Sequence, residues 1–179
     1  LDLGSGGGGF LSYLKGHSTP TSNARLVGLD RSERALRHAS RWQSRCIRWI
    51  CGDALCIPLR ENSVDVVTCS LFLHHFDESQ LIQILSEARR VSTQGLVLAD
   101  LTRSRLGLIL TWLCTHLVSR SIVFRNDGPA SVRAAYTKKE LAALAAQVGL
   151  ENAQVQGLFP FRMILTWRKP GVSRVGSPC

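Results

Sequence analysis

A doubly wound α/β fold, with a mostly parallel seven-stranded sheet and an antiparallel final strand, is the class this 179-residue sequence predicts. Three observations carry it. Short, strongly apolar segments alternate with segments of helical periodicity, as expected of strands buried on both faces and linked by crossover helices. The first segment, Leu1-Asp2-Leu3, runs into a glycine-rich turn and restarts as a helix. The last two strand-like segments are joined by only a couple of residues around Pro160, too few for a parallel connection.

The elements follow in order. Leu1–Leu3 is the end of strand 1; it is short and no initiator Met precedes it, so it is read as truncated, with a leader, anchor or helix upstream left open. Phe10–Lys15 reads as a short helix, and the Gly, Ser, Thr and Pro of Gly16–Asn23 as a loop. Leu26–Asp30 is strand 2, and Ser32 caps a helix through Gln43. Ile47–Cys51 is strand 3, ending at Gly52-Asp53, and Pro58 and Asn62-Ser63 mark a loop. Val64–Cys69 is strand 4, β-branched and almost wholly apolar. Leu81, Ile82, Leu85, Ala88 and Val91 give Glu78–Val91 a helical period, and Leu96–Asp100 is strand 5. Ser104–Val118 reads as one amphipathic or buried helix and Asn126–Pro129 as a turn or hinge. Thr137 caps Lys138–Val148, with Glu140 at the third helical position and Gly149 as the stop. Glu151–Leu158 and Phe161–Trp167 are the closing strands. Residues 1–179 form one domain, without repeats or low-complexity linkers. Residues 103–136 exceed what a crossover needs and are read as a substrate-lid insertion, the alternative being a core-covering helix.

Composition bounds the partners. Hydrophobic content of 45% and charged content of 20% are those of an ordinary soluble protein. The net charge of +9 comes mostly from scattered arginines with no block of five or six, so it is read as a basic surface, with allowance for an anionic lipid or substrate and for weak membrane-surface contact. The longest apolar stretch, Leu106–Val118, is broken by Thr111, Thr115 and His116 and falls short of the about 20 residues a bilayer needs. The cysteines at 46, 51, 56, 69, 114 and 179 form no C-x-x-C pair, and are read as small buried hydrophobes of a cytoplasmic protein.

Gly4, Gly6 and Gly9 satisfy the dinucleotide pattern G-x-G-x-x-G, a weak match in so glycine-rich a run. Asp2, inside the strand two residues earlier, argues against a diphosphate, which its charge would repel. It suits a ligand with an amino group and a positive sulfur. The order Asp2, Gly4, Gly6, Gly8 resembles the first motif of class I S-adenosylmethionine-dependent methyltransferases, a Rossmann-like fold. Three further segments are similar: Asp30 ending strand 2, where the family places an acid on the ribose hydroxyls; Gly52-Asp53-Ala54 after strand 3, at the family's adenine edge; and Ser70-Leu71-Phe72-Leu73-His74-His75-Phe76 after strand 4, beneath the methionine moiety. The resemblance implies S-adenosyl-L-methionine as cofactor, held by Asp2, Gly4, Ser5, Gly6, Gly8, Asp30, Arg31, Asp53, Ala54, Ser70 and Leu71. The residues leave plainer roles open: Asp2 capping the glycine turn, Asp30 capping the next helix, Asp53 as a turn residue.

Methyl transfer is an in-line displacement that needs a base only when the nucleophile must lose a proton. His74 and His75 leave the sheet beside the implied cofactor and are the candidate bases; packing or capping of the next helix is the competing role. No metal is expected, since only Asp77 accompanies the histidine pair. Arg103, His116, Arg133 and Tyr136 are the candidate substrate residues, against surface or packing roles, and the apolar content of 106–118 implies a lipophilic or aromatic small molecule. Asp127–Arg133 and Thr137–Leu141 resemble methyltransferases encoded beside bacterial type III polyketide synthases and, more broadly, the ubiquinone and menaquinone group. O- or C-methylation of a polyketide- or quinone-like compound in secondary metabolism is the function so implied. A nucleic-acid methyltransferase, a nicotinamide oxidoreductase and a non-catalytic cofactor-binding subunit are the rivals.

Overall fold

The computed structural model describes residues 1–17, 24–43, 46–104, 106–110 and 129–171. Seven strands, β1 (Asp2–Leu3), β2 (Leu26–Asp30), β3 (Ile47–Cys51), β4 (Val64–Ser70), β5 (Ser92–Leu101), β6 (Gln154–Leu158) and β7 (Arg162–Arg168), form one sheet in the order β3-β2-β1-β4-β5-β7-β6. The first five run parallel, and β7 is antiparallel to both β5 and β6. The fold class therefore stands as expected, including the short first strand. Of the connecting helices, α1 (Gly9–His17) packs on β2, α2 (Glu33–Trp42) on β2 and β3, and α3 (Glu78–Val91) on β4 and β5. The direction of winding reverses between β1 and β4, and an open α/β sheet binds its ligand at such a switch point.

The main core lies under α3 and α4 (Lys138–Gln147). Leu81, Ile84, Leu85, Ala88 and Val91 of α3 pack with Leu141, Leu144 and Ala145 of α4 on Leu3, Leu29, Val67, Leu96 and Leu98. Caps fix where these helices begin. Ser32 Oγ accepts from the Ala35 N–H, and Asp77 with Gln80 and Thr137 with Glu140 form capping boxes. Replacing Thr137 by Ala is expected to cost about 1 kcal/mol and to lower the melting temperature by about 2–4 °C, measurable by calorimetry.

Several boundaries moved. β5 starts at Ser92 rather than Leu96, because the polar run Ser92–Gly95 pairs with Val64 and Val66 of β4. β6 starts at Gln154 rather than Glu151, after a turn in which Asn152 has φ +61° and the Ala153 N–H reaches the Leu150 carbonyl. Pro129 opens a helical stretch, 129–134, rather than closing a hinge; its fixed φ suits a first helical turn. Residues 106–110 are helical as expected, while the rest of the expected helix, with His116, and residues 126–128 of the expected turn lie outside the described residues. Cys69 is buried, but Cys46, Cys51 and Cys56 are exposed, correcting the buried reading for those three. Among the described residues no helix is long and apolar enough to cross a membrane.

Candidate functional site

Three acids stand in a row at the C-terminal ends of neighbouring strands. Asp2 lies in β1, paired in register with Gly28 of β2 and Thr68 of β4. It is only 3% exposed, and Thr68 donates its hydroxyl to Oδ1 at 2.8 Å. Burial pushes its carboxyl up to about 6, against the lowering effects of the Thr68 hydrogen bond and a nearby amine. Asp30 ends β2 and holds two turns at once: Oδ2 accepts from the Gly6 N–H and Oδ1 from the Ser32 N–H, each at 2.8 Å. Asp53 follows β3; its Oδ1 accepts from the Leu55 N–H at 3.0 Å and Oδ2 lies 3.8 Å from Arg31 Nε. Ala54 beside it is buried.

The glycines divide by what stands over them. A Cβ on Gly4 would lie 2.2 Å from the Phe72 ring, and one on Gly8 2.2 Å from the Trp49 ring. Those two glycines make room for the protein's own aromatics. Gly6 differs: with φ +51° it needs the left-handed conformation, and nothing lies within 4 Å of its Cβ position. Gly9, at the start of α1, is likewise open. Gln43, closing α2, braces the turn by donating Nε2 to the Gly7 carbonyl at 2.9 Å and accepting the Ser12 hydroxyl. Ser5 Oγ is buried without a partner and faces Gly28.

β4 delivers the next residues. Ser70 ends the strand, and Leu71 turns out of it with φ +55°, held by its N–H to the Ala99 carbonyl and 38% exposed. A bulky residue in that conformation is uncommon and marks a constrained exit. His74 and His75 follow on a 3-10 turn, Leu73–His75. The two differ. His74 is buried, with Nδ1 2.7 Å from Asp100 Oδ1, whereas His75 is exposed and its ring leans on His74 at 4.1 Å. Desolvation, then the neighbouring His74, hold the His75 imidazole below its usual value.

Of the expected substrate residues, Arg103 and Tyr136 are neighbours, the Arg103 N–H donating to the Tyr136 carbonyl at 3.0 Å, but their side chains are engaged elsewhere. Arg103 is bound to Glu140, and Tyr136, mostly buried in the core, donates its hydroxyl to the Phe76 carbonyl at 2.8 Å. Arg133 is exposed, and His116 is not among the described residues. Among the described residues no group of three or more His, Cys, Asp or Glu is placed to hold a metal ion. Sequence reading missed Thr68, Trp49, Gln43 and Asp100 as parts of this edge. An acid at the last buried position of strand 5 and a threonine in an apolar strand were the signals for two of them; Trp49 and Gln43 gave none.

Residues 1–99, more than half of the chain, match a family model described as "Methyltransferase domain". The chain belongs to this methyltransferase family. A curated relative, the biotin biosynthesis bifunctional protein BioHC of Cellvibrio japonicus, is 32% identical over 95 residues; the match covers 53% of this chain and 18% of that protein's length. The methyltransferase fold extends beyond the matched segment. The plantazolicin methyltransferase BpumL, solved in complex with a triazolic desmethylPZN analog and SAH, superposes with a TM-score of 0.74 at 18% identity, over 94% of this chain and 75% of that one. A SAM-dependent methyltransferase from Aquifex aeolicus gives 0.66 at 16% identity, over 93% and 79%.

Proposed function

We propose that this methyltransferase domain uses S-adenosylmethionine to methylate a lipophilic or aromatic small molecule at oxygen or carbon. The carrying observation is the buried Asp2 carboxyl beside a turn in which the open, left-handed Gly6 is tied to Asp30. That donor set fits an adenosyl sulfonium: a carboxylate for the cationic end, open backbone at the turn, Asp30 for ribose hydroxyls, Asp53 and Ala54 for the adenine edge. Gly4, Ser5 and Gly8 shape the turn, Arg31 steadies Asp53, and Ser70 and Leu71 border the methionine end. When bound, the cofactor supplies the electrophilic methyl group. The chain orients the acceptor, keeps water out and provides a histidine of the 3-10 turn for proton removal.

The small-molecule reading draws support from BpumL, named for a small-molecule product, and from the exposed Leu106, Ile109 and Leu110 of the 103–136 segment read as a lid. A nucleic-acid substrate is the second reading, favoured by Arg34, Arg41 and the 75% exposed Trp42 on one helix. Methyl transfer from S-adenosylmethionine to a panel of phenols, pyrones and quinone precursors, run beside an RNA substrate, separates the two. Replacing Asp30 by Ala removes an anchor of Gly6 as well as a ligand contact. Calorimetry with S-adenosylhomocysteine is expected to show at least tenfold weaker binding, each lost charged hydrogen bond contributing about 1.5–3 kcal/mol; unchanged affinity would remove that assignment.

A further inference from the structure

We propose that His74, rather than His75, removes the proton from the acceptor, and that Asp100 is the positioning residue that presents His74 Nε2 as the base. This rests on the proposed function and deepens it.

The geometry begins with Asp100, 2% exposed near the end of β5. Its Oδ2 accepts the His74 backbone N–H at 3.0 Å, and its Oδ1 accepts the Leu101 N–H at 2.6 Å and faces His74 Nδ1 at 2.7 Å. Backbone donors thus occupy both oxygens and fix the carboxyl plane. The same carboxyl grips the main chain and the ring of His74, so the imidazole is held at two points. In that arrangement Nδ1 is the donor, which leaves Nε2 as the acceptor of a neutral ring. Among the described residues the buried side-chain N and O atoms without partners are Ser5 Oγ and Trp167 Nε1. His74 Nε2 is not one of them, and the His74 side chain keeps 7% of its surface exposed.

The turn carrying His74 sits at the site. Phe72, two residues earlier, lies on Gly4 of the glycine turn, and β4 borders β1 at the switch point. The titratable groups against the ring are His75 on its own turn and Asp100 on β5; Cys69 on β4 is buried within the fields of Asp100 and Asp2. Among the described residues no carboxylate is hydrogen-bonded to the His75 ring.

The step balances as follows. The acceptor's O–H or acidic C–H proton passes to His74 Nε2. The freed electron pair forms a bond to the methyl carbon of a sulfonium donor, and the methyl–sulfur bond breaks with its pair going to sulfur, giving a thioether. The imidazolium, steadied by Asp100, then releases its proton to water. Such a base contributes about 10²–10⁴-fold in rate.

Long-range 15N NMR of the histidine rings in the ligand-free chain tests the orientation, with signals assigned by His74→Gln and His75→Gln. The expected result is a His74 ring protonated at Nδ1 and bare at Nε2, whose Nδ1–H proton resonance moves upfield in Asp100→Asn as the charged acceptor is lost. A His74 ring protonated at Nε2, or an Nδ1–H resonance unmoved in Asp100→Asn, would overturn the proposal. If Asp100→Asn does not fold, the wild-type tautomer alone decides. With S-adenosylmethionine and a phenol accepted by the wild type, His74→Gln is expected to lower kcat at least 100-fold with cofactor KM unchanged, and His75→Gln by less than threefold; equal losses overturn the assignment. S-Adenosylhomocysteine calorimetry on the same samples keeps the two readings apart: absence of binding ends the proposed function, while the NMR result concerns Asp100 and His74 alone.

Discussion

Replacing Asp2 by Asn is expected to stabilise the ligand-free protein at pH 8 and to weaken its hold on the cofactor. The carboxyl sits at 3% exposure with its pKa raised from 3.8 to about 6. A carboxyl with a raised folded-state pKa favours folding while it is neutral, below its unfolded value, and that contribution is lost as pH rises through the folded value. Above pH 6 the ionised Asp2 therefore costs about 3 kcal/mol relative to its neutral form. Asn keeps an acceptor for the Thr68 hydroxyl without titrating. The variant should gain on the wild type between pH 4 and pH 8 and melt about 5–10 °C higher at pH 8. It loses a charge-assisted contact with the ligand's cationic end, so affinity for S-adenosylmethionine should fall about 10–100-fold. In the wild type the affinity should itself decline below pH 6, about tenfold by pH 5, as the carboxyl takes a proton. A variant no more stable at pH 8, with undiminished affinity, would show that Asp2 is a structural acid only.

Gly4→Ala is expected to be the most destabilising single methyl in the glycine turn, and Gly6→Ala to separate stability from binding. Both positions have positive φ, +64° and +51°, which costs an alanine about 1–2 kcal/mol. At Gly4 the added carbon also meets the Phe72 ring at 2.2 Å. Moving that ring adds about 1–3 kcal/mol of overpacking, for a total of about 2–5 kcal/mol. At Gly6 the methyl meets nothing within 4 Å. Its stability cost should stay near the conformational term, while it occupies the space assigned to the cofactor. Urea titration of the two variants, paired with S-adenosylhomocysteine calorimetry, gives the comparison. A Gly6→Ala variant that binds normally would place the ligand elsewhere.

The parts of this fold that could be read from the chain are those where local chemistry and tertiary need agree. β2 and β3 fall on the expected residues because an apolar run ends at a turn signal, and α2 and α3 because their caps and apolar periods coincide. The start of β5 was hidden because Ser92-Thr93-Gln94-Gly95 is strand only by virtue of pairing with β4. At the site, the strand-end acids Asp2, Asp30 and Asp53 were legible as residues, since a carboxylate closing an apolar strand stands out. Their division of labour was not. That Asp30 anchors Gly6, that Phe72 and Trp49 occupy the space over Gly4 and Gly8, and that Asp100 grips His74 are contacts between segments 24 to 68 residues apart. No spacing rule reaches that far. Arg103 and Tyr136 looked available in sequence, yet Glu140 and the Phe76 carbonyl already engage them.

Isothermal titration of the wild-type chain at pH 8 with S-adenosylhomocysteine, and in parallel with NAD, tests the central claim most directly. The account predicts one-to-one binding of the adenosyl thioether, weakened by Asp30→Ala, and no measurable heat with the dinucleotide. Binding of NAD in its place, or an adenosyl affinity untouched by the loss of Asp30, would contradict it.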